Sequence, residues 1–518
     1  MLAFPSTYSV GITSLGFQMV WATMAQRPDL DVRRLFTDGG DPHHRHIDLF
    51  GLSLSWELDG PVLLDLLEDR RIPLWSHDRG DDDPLVFGGG PVLTANPEPL
   101  APFFDVVLLG DGEELLPEFL DAAVATAGQP RAQRLRRLAR IDGVYVPSLH
   151  QPRYDAEGLL TGVEPVDGDG PATVSKRTWR GGTLTQSAVI TPEAAWPSIH
   201  MVEVVRSCPE LCRFCLASYL TLPFRTPSLD DSLIPAVQRG LAVTDRLGLL
   251  GASVTQHPQF AELLQWLDGP AGDGVRLSVS SVRAATVTPE LTRILARRGS
   301  RSLTIAIESG SERLRQVVNK KLSGEAITAA ATQARAGGLS GLKLYGMVGL
   351  PSETDDDIEA TAALLLDLRR HAPGLRLSLG VSTFVPKAHT PFQWEGVRPE
   401  AEGRLQRLGK RLKPKGIELR PESYGWSLVQ ALLSRGDRRL APLIVAVRGR
   451  HGSLGAWKQT LRQLRAAAAG DPMAPPPWDA IVHERWTPGQ VLPWSHLHGP
   501  LPEATLIAHR QASLSPAA

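Results

Sequence analysis

Between residues 1 and 140, short and almost wholly apolar runs alternate with stretches of helical periodicity. Leu2–Pro5, Ile47–Ser55, Pro84–Phe87 and Phe104–Leu109 read as strands. Ser14–Gln26, Gly60–Arg70 and Glu113–Ala127 carry apolar residues at helical spacing. Strands this apolar are buried on both faces, and the βαβ rhythm predicts a doubly wound, Rossmann-like parallel sheet over 1–140. Two glycine turns, Gly88-Gly89-Gly90-Pro91 and Gly110-Asp111-Gly112, fall at strand ends. That is the edge at which such sheets bind ligands.

The pattern then changes. Residues 141–199 scatter Gly, Pro, Asp, Thr and Ser among short strand candidates such as Gly143–Pro147, and read as a β-rich connector. Strict alternation returns over 200–395. Strands are expected at His200–Arg206, Leu249–Ser253, Val275–Ser280, Ser302–Ile307, Gly341–Met347 and Leu375–Val385. Helices are expected between them at Ser232–Arg246, Gln259–Leu267, Pro289–Arg298, Glu325–Ala336 and Thr354–Arg370. Six βα units suit a partial α/β barrel with its site at the strand C-termini. Residues 396–518 mix helices with the Pro-rich stretch Ala474–Pro477 and read as a small α+β appendage.

Composition narrows the class. Of 518 residues, 42% are hydrophobic, too many for a disordered chain, and no apolar run reaches the ~18 residues of a membrane span. Lys plus Arg number 55 and Asp plus Glu 56, so no global field draws nucleic acid or an anionic membrane. The N-terminus lacks a basic signal-peptide region, which makes the expected location cytoplasmic. The only three cysteines, Cys208, Cys212 and Cys215, lie within eight residues of one another, directly after the first barrel strand. On a short loop, gaps of four and three let three thiolates meet an iron–sulfur cubane and leave one iron without a protein donor. Structural zinc generally takes four ligands, and a fourth cysteine is missing; His200 or His257 could serve only by folding back.

Cys-x3-Cys-x-aromatic-Cys at the end of a first barrel strand resembles the signature of the radical S-adenosylmethionine (SAM) enzymes. The resemblance implies a 4Fe–4S cluster on Cys208, Cys212 and Cys215, SAM bound at the open iron, and a radical that abstracts hydrogen from substrate. It also implies a low-potential electron donor of the flavodoxin or ferredoxin type. Phe214 would then pack by the adenine. Where the family has Gly-Gly-Glu after its second strand, this chain has Gly251-Ala252-Ser253, which leaves backbone groups for the methionyl ammonium but no carboxylate. Ser280 and Arg283 after strand three are candidates for the SAM carboxylate. Glu308 and Gly310 after strand four are candidates for ribose, with Gly310 allowing close backbone approach. Thr354 and Asp357 read as an N-cap and its third-position partner. Residues 1–140 resemble the cobalamin-binding-type domain of one large subgroup. Its histidine motif is not matched: Asp41–His46 has His46 where Gly is required and precedes a strand instead of following the first. The resemblance therefore allows cobalamin, bound without a histidine, and brings no substrate with it.

Three other readings remain at this stage. A tRNA methylthiotransferase shares the domain order, but it carries three further N-terminal cysteines, and residues 1–200 contain none. A non-catalytic SAM or cobalamin sensor is the second, and a structural zinc protein the third. Arg404, Arg407 and Arg411, with Lys413 and Lys415, could touch RNA or simply form a solvated face.

Overall fold

The computed structural model describes residues 1–518 apart from 43–45, 167, 169, 450–451 and 515–518. The N-terminal sheet contains β1 (Leu2–Ala3), β2 (Arg34–Phe36), β3 (Gly39–Gly40), β4 (Leu49–Ser53), β5 (Leu85–Gly89), β6 (Val106–Leu108) and β7 (Val144–Tyr145). Their order is β3-β2-β1-β4-β5-β6-β7. The inner pairs are parallel, and β3 and β7 close the edges antiparallel. Counting only the parallel strands, the order is 2-1-3-4-5, the flavodoxin-like winding, and the chain reverses direction between β1 and β4. A strand that the periodicity assigned to the connector, β7, thus completes this sheet.

Both faces of the sheet are covered. On one, Phe17, Met24, Leu116 and Phe119 come from helices Leu15–Ala25 and Gly112–Ala125. On the other, helix Gly60–Asp69 is joined by helices Tyr424–Arg435, Ala441–Val447 and Leu454–Ala467 from the C-terminal extension. That extension is mostly helical and shares a core with the N-terminal sheet. The connector contributes the hairpin β8 (His150–Tyr154) and β9 (Leu160–Pro165). It also supplies β10 (Val174–Ser175), which pairs in parallel with a strand at Leu497–His498.

The barrel strands are β11 (His200–Glu203), β12 (Arg246–Leu250), β13 (Arg276–Val279), β14 (Ser302–Glu308), β15 (Gly341–Val348) and β16 (Arg376–Thr383). A seventh, β17 (Glu418–Pro421), pairs in parallel with β16 and comes from residues that the sequence pattern left to the extension. The strands form two sheets, β11–β13 and β14–β17, joined by a single parallel bridge between Val282 and Ile305, so the barrel is open. The strand at Leu497–His498 is β18. Two expected boundaries shift. The helix expected to run to Arg246 ends at Leu241, and β12 begins at Arg246. The run Leu247–Leu250 pairs with β11 and β13, so Gly251, Ala252 and Ser253 lie beyond the strand. Asp357 does complete a capping box with Thr354 at the start of helix Asp355–His371. Among the described residues no helix is long and apolar enough to cross a membrane.

A buried polar seam joins the N-terminal sheet to the extension. Glu98 accepts from Tyr145 Oη at 2.6 Å and from Arg438 Nε at 2.8 Å. His496 stands 3.5 Å from Glu98, and His389 Nε2 lies 3.1 Å from the Ala95 carbonyl. Burial pushes both imidazoles down to about 4. Their unfolded pKa is ~6.5, so between about 4 and ~6.5 the unfolded chain binds more protons than the folded one. Stability should therefore fall as pH drops through that window. Melting temperatures of the wild type measured from pH 7 to 4.5 should decline, and His496→Gln should give a shallower slope. Equal slopes would show that the seam does not titrate.

Candidate active site

The cysteine loop leaves β11 and is folded by its own backbone and by the segment after helix Glu312–Val317. Ser207 (φ 70°) and Leu211 (φ 53°) adopt left-handed conformations that turn the loop back on itself. Asn319 Nδ2 donates to the carbonyls of Glu210 (3.1 Å) and Leu211 (2.8 Å), and the Arg213 amide donates to Val318 O (3.0 Å). From the C-terminal helix Glu503–Leu514, His509 meets Tyr219 Oη at 2.8 Å, and that hydroxyl also reaches Leu211 O. Cys212 is buried, Cys208 and Cys215 are half-buried, and all three are free thiols.

This donor set fits an iron–sulfur cluster. Three soft sulfurs share one loop and feel one another's charge. Among the described residues no three His, Cys, Asp or Glu side chains converge as one ion requires. A cubane presents its irons at separate corners and asks for no such convergence. Burial pushes the Cys212 thiol up to about 12 and raises Cys215 as well. Binding iron must displace those protons, as at any thiolate metal site. His200 and His257 are occupied elsewhere, at Ala236 O (3.0 Å) and Pro227 O (2.8 Å).

Glu308 ends β14 at a bulge, buried and with φ 62°. For a residue other than glycine, that conformation costs about 1–3 kcal/mol, and such strain gathers at functional sites. Its carboxylate takes 2.7 Å hydrogen bonding from Lys320 Nζ, and both charges act on Cys212. Lys320 was not among the residues singled out from sequence; the only local sign is the basic pair Lys320-Lys321 on a loop.

A second chain of contacts crosses the mouth. Ser253 Oγ bonds the Gln256 side chain, and Gln256 Nε2 donates to Glu210 Oε1 at 2.6 Å. Glu210 then pairs with Arg283 at 3.2 Å. Arg283 also donates to the carbonyls of Lys320 and Lys321, so its guanidinium is held by the protein instead of standing free for a carboxylate. Ser280 Oγ donates to Gly251 O at 3.0 Å, while Ala252 is exposed.

Several glycines have a different reason from the one expected. A Cβ on Gly310 would stand 2.3 Å from Thr361 Cα, so that glycine admits helix Asp355–His371, not a ribose. Gly90 and Gly110 have positive φ, and their Cβ atoms would strike Leu54 O and Arg177 O. They serve the protein's own backbone, whereas a Cβ on Gly89 or Gly112, which also line the crevice, would meet no backbone closer than 3.5 Å. Phe214 packs against Leu314, Val318, Phe384 and Phe392, a wall beside the cluster loop. The basic face over 404–411 forms ion pairs with acidic residues: Arg404 with Glu353 (3.1 Å), Arg407 with Asp355 (2.9 Å) and Arg411 with Glu359 (2.8 Å).

A cavity of about 620 Å³ lies between the two sheets. Leu52, Ser53, Gly89, Thr94 and Leu108 enter it from the C-terminal edge of the N-terminal sheet. Arg206, Leu216, Leu250 and Gly251 enter from the barrel, next to the cysteine loop. Most of the wall is apolar, and its charged end is an ion network. Arg206 reaches Asp111 (3.2 Å), Glu113 (2.7 Å) and Glu203 (2.7 Å), and Arg225 reaches Asp111 (2.6 Å). Against the upward push of burial, Arg206 and Arg225 hold Asp111 below the usual carboxylate range. Lys176 joins this end, lowered by burial to about 8. Asp41, which pairs with Arg34 at 2.9 Å, and His46 do not line the cavity. His43 and His44 lie outside the described residues.

Residues 202–365 match the radical SAM superfamily, and residues 16–147 match the family described as radical SAM proteins, N-terminal. The chain belongs to the radical SAM enzymes. A Methanocaldococcus jannaschii protein described as uncharacterized is 28% identical to this radical SAM enzyme over 85% of this chain and 89% of its own. A tRNA-2-methylthio-N(6)-dimethylallyladenosine synthase of Sorangium cellulosum is 26% identical over 37% of this chain and 45% of its own. Among solved structures, the radical SAM methyltransferase TsrM from Kitasatospora setae has the same fold, with TM-score 0.55 at 14% identity. That match covers 90% of this chain and 99% of TsrM.

Proposed function

We propose that this enzyme cleaves SAM reductively at a 4Fe–4S cluster held by Cys208, Cys212 and Cys215, and directs the product radical or methyl group to a substrate held within reach of the cysteine loop. The observation that carries this is one largely apolar space between the switch-point crevice of the N-terminal sheet and the residues that flank the cysteine loop, Arg206 and Leu216. When bound, the cluster supplies an electron to the sulfonium of SAM and its open iron a chelation site. The chain's own residues supply the rest. Glu308 and Lys320 put a balanced charge pair beside the thiols. Phe214 and its aromatic wall keep water from one side of the loop. The Ser253–Gln256–Glu210–Arg283 chain holds the mouth loops in register with it. An external donor of flavodoxin or ferredoxin type would deliver the electron, and the setting would be cytoplasmic.

The crevice suits a corrinoid, and among the described residues of the His-bearing loop neither Asp41 nor His46 lines it. TsrM is a methyltransferase by its description, which favours methyl transfer over the sulfur insertion of the Sorangium relative. The test is anaerobic incubation of reconstituted, reduced protein with SAM and hydroxocobalamin. It should release 5′-deoxyadenosine or form methylated corrinoid, with a corrinoid spectrum unchanged by His43→Ala, His44→Ala or His46→Ala. Cluster-replete protein that neither binds SAM nor alters its EPR signal on adding SAM would refute the reading.

A further inference from the structure

The barrel sheet packs only one of its faces. Leu303, Ile305, Leu342, Leu344, Leu377 and Leu379 point into the core shared with the outer helices. Side chains alternate along a strand, so their neighbours point to the inner face. Strand register sets these in rows: Ala306, Tyr345, Gly380 and Arg420 stand abreast, and Thr304, Lys343, Ser378 and Glu418 form the next row. A barrel interior with a purely structural role is filled by bulky branched side chains. Here the positions flanking Tyr345 and Lys343 are Ala, Gly, Thr and Ser.

Tyr345 is the large side chain left standing, 52% exposed on that inner face. Gly380 makes room for it, since a Cβ there would come 2.9 Å from the tyrosine ring. The ring therefore lies across bare backbone. Toward the strand C-terminus, Met347 shares the face of Tyr345 and packs, like Phe214 of the cysteine loop, against the cluster that holds Phe384 and Phe392. In the other direction, ~7 Å along the strand, Lys343 is exposed and makes no hydrogen bond or ion pair among the described residues. Arg420 is paired with Glu418 at 2.8 Å and Arg376 also acts on that carboxylate, which leaves Lys343 as unbalanced positive charge on this face.

We propose that the inner face of β15 is the substrate subsite and that the substrate is a small planar anion. Its ring stacks on Tyr345, and its anionic group meets Lys343 one step deeper, so the other end of the molecule points along Met347 to the site of SAM cleavage. This rests on the proposed SAM chemistry only for the word substrate; the binding site itself is testable apart from turnover.

The experiment measures equilibrium binding of 2-naphthoate to the reconstituted holoprotein by naphthoate fluorescence. 2-Naphthol serves as the neutral planar control and cyclohexanecarboxylate as the non-planar anion. Naphthoate should bind more tightly than either. Tyr345→Leu should weaken it about tenfold and Tyr345→Phe should retain it, as expected for a stacking contact. Gly380→Ala, which moves the ring without removing it, should also weaken binding. Lys343→Gln should cost naphthoate about threefold and leave naphthol unchanged. No naphthoate binding at millimolar concentration, equal affinity in Tyr345→Leu, or equal binding of cyclohexanecarboxylate would each overturn the proposal. A wild-type protein that binds naphthoate as described yet forms no product from SAM would instead defeat the proposed function and leave the subsite standing.

Discussion

Cys212→Ala should abolish the visible absorption of the reconstituted cluster and every product derived from SAM. The loop has no spare donor: the chain contains only three cysteines, and the histidines nearest in sequence, His200 and His257, are fixed to backbone carbonyls. Losing one of three thiolates leaves two irons without protein ligands, and the cluster cannot assemble at that count. Of the three, Cys212 is the most enclosed, so an external thiol cannot readily take its place. Iron content and the absorption spectrum check the first effect; 5′-deoxyadenosine and methylated product check the second. A stable, full-occupancy cluster in Cys212→Ala would show that the ligand set is wrong. Zinc at one per chain under strict anaerobiosis would show that the metal is.

Arg438→Met should destabilise the protein by about 3–5 kcal/mol, because it strands a buried carboxylate. Glu98 is 1% exposed and has Arg438 as its paired guanidinium, which also donates to Tyr145 Oη (2.9 Å) and to His150 O (2.8 Å). The methionine can fill the space but not the charge. Glu98→Gln added to Arg438→Met should recover part of the loss, since it removes the charge left unpaired. Chemical denaturation followed by tryptophan fluorescence measures both. A single variant that unfolds with the wild type would mean that the C-terminal extension is not held to the N-terminal sheet through this seam.

The elements that could be read from the sequence were those whose information is local. The apolar runs of β4 and β5 and the helical periods of 15–25 and 355–371 came from side-chain spacing, and Thr354 with Asp357 from capping chemistry. Which sheet a short edge strand joins was not readable in this way. Residues 143–147 signal a strand, but only pairing with β6 shows that it completes the N-terminal sheet. Residues 418–421 carry too few apolar positions to signal a strand and become one because the edge of β16 offers hydrogen-bond partners. The strand after residue 241 was misplaced because Arg246 reads as part of a helix until its register with β13 is known.

The sequence by itself determined the chemistry: three thiols on one loop, no fourth, none in the N-terminal region, and βα alternation that brings that loop to the C-terminal end of the barrel strands. Soft-ligand count and strand polarity are properties of the chain, so they need no tertiary information. Only the tertiary structure decided how the other candidates are used. It gave Gly310 to a helix, Arg283 to Glu210, and the basic face of Arg404, Arg407 and Arg411 to acidic partners. It also brought Lys320 to Glu308, Lys176 to the cavity and Tyr345 to an open inner face. A charged or glycine position has many equivalent partners along a chain. Which one it meets depends on contacts between segments tens to hundreds of residues apart, and packing alone fixes those.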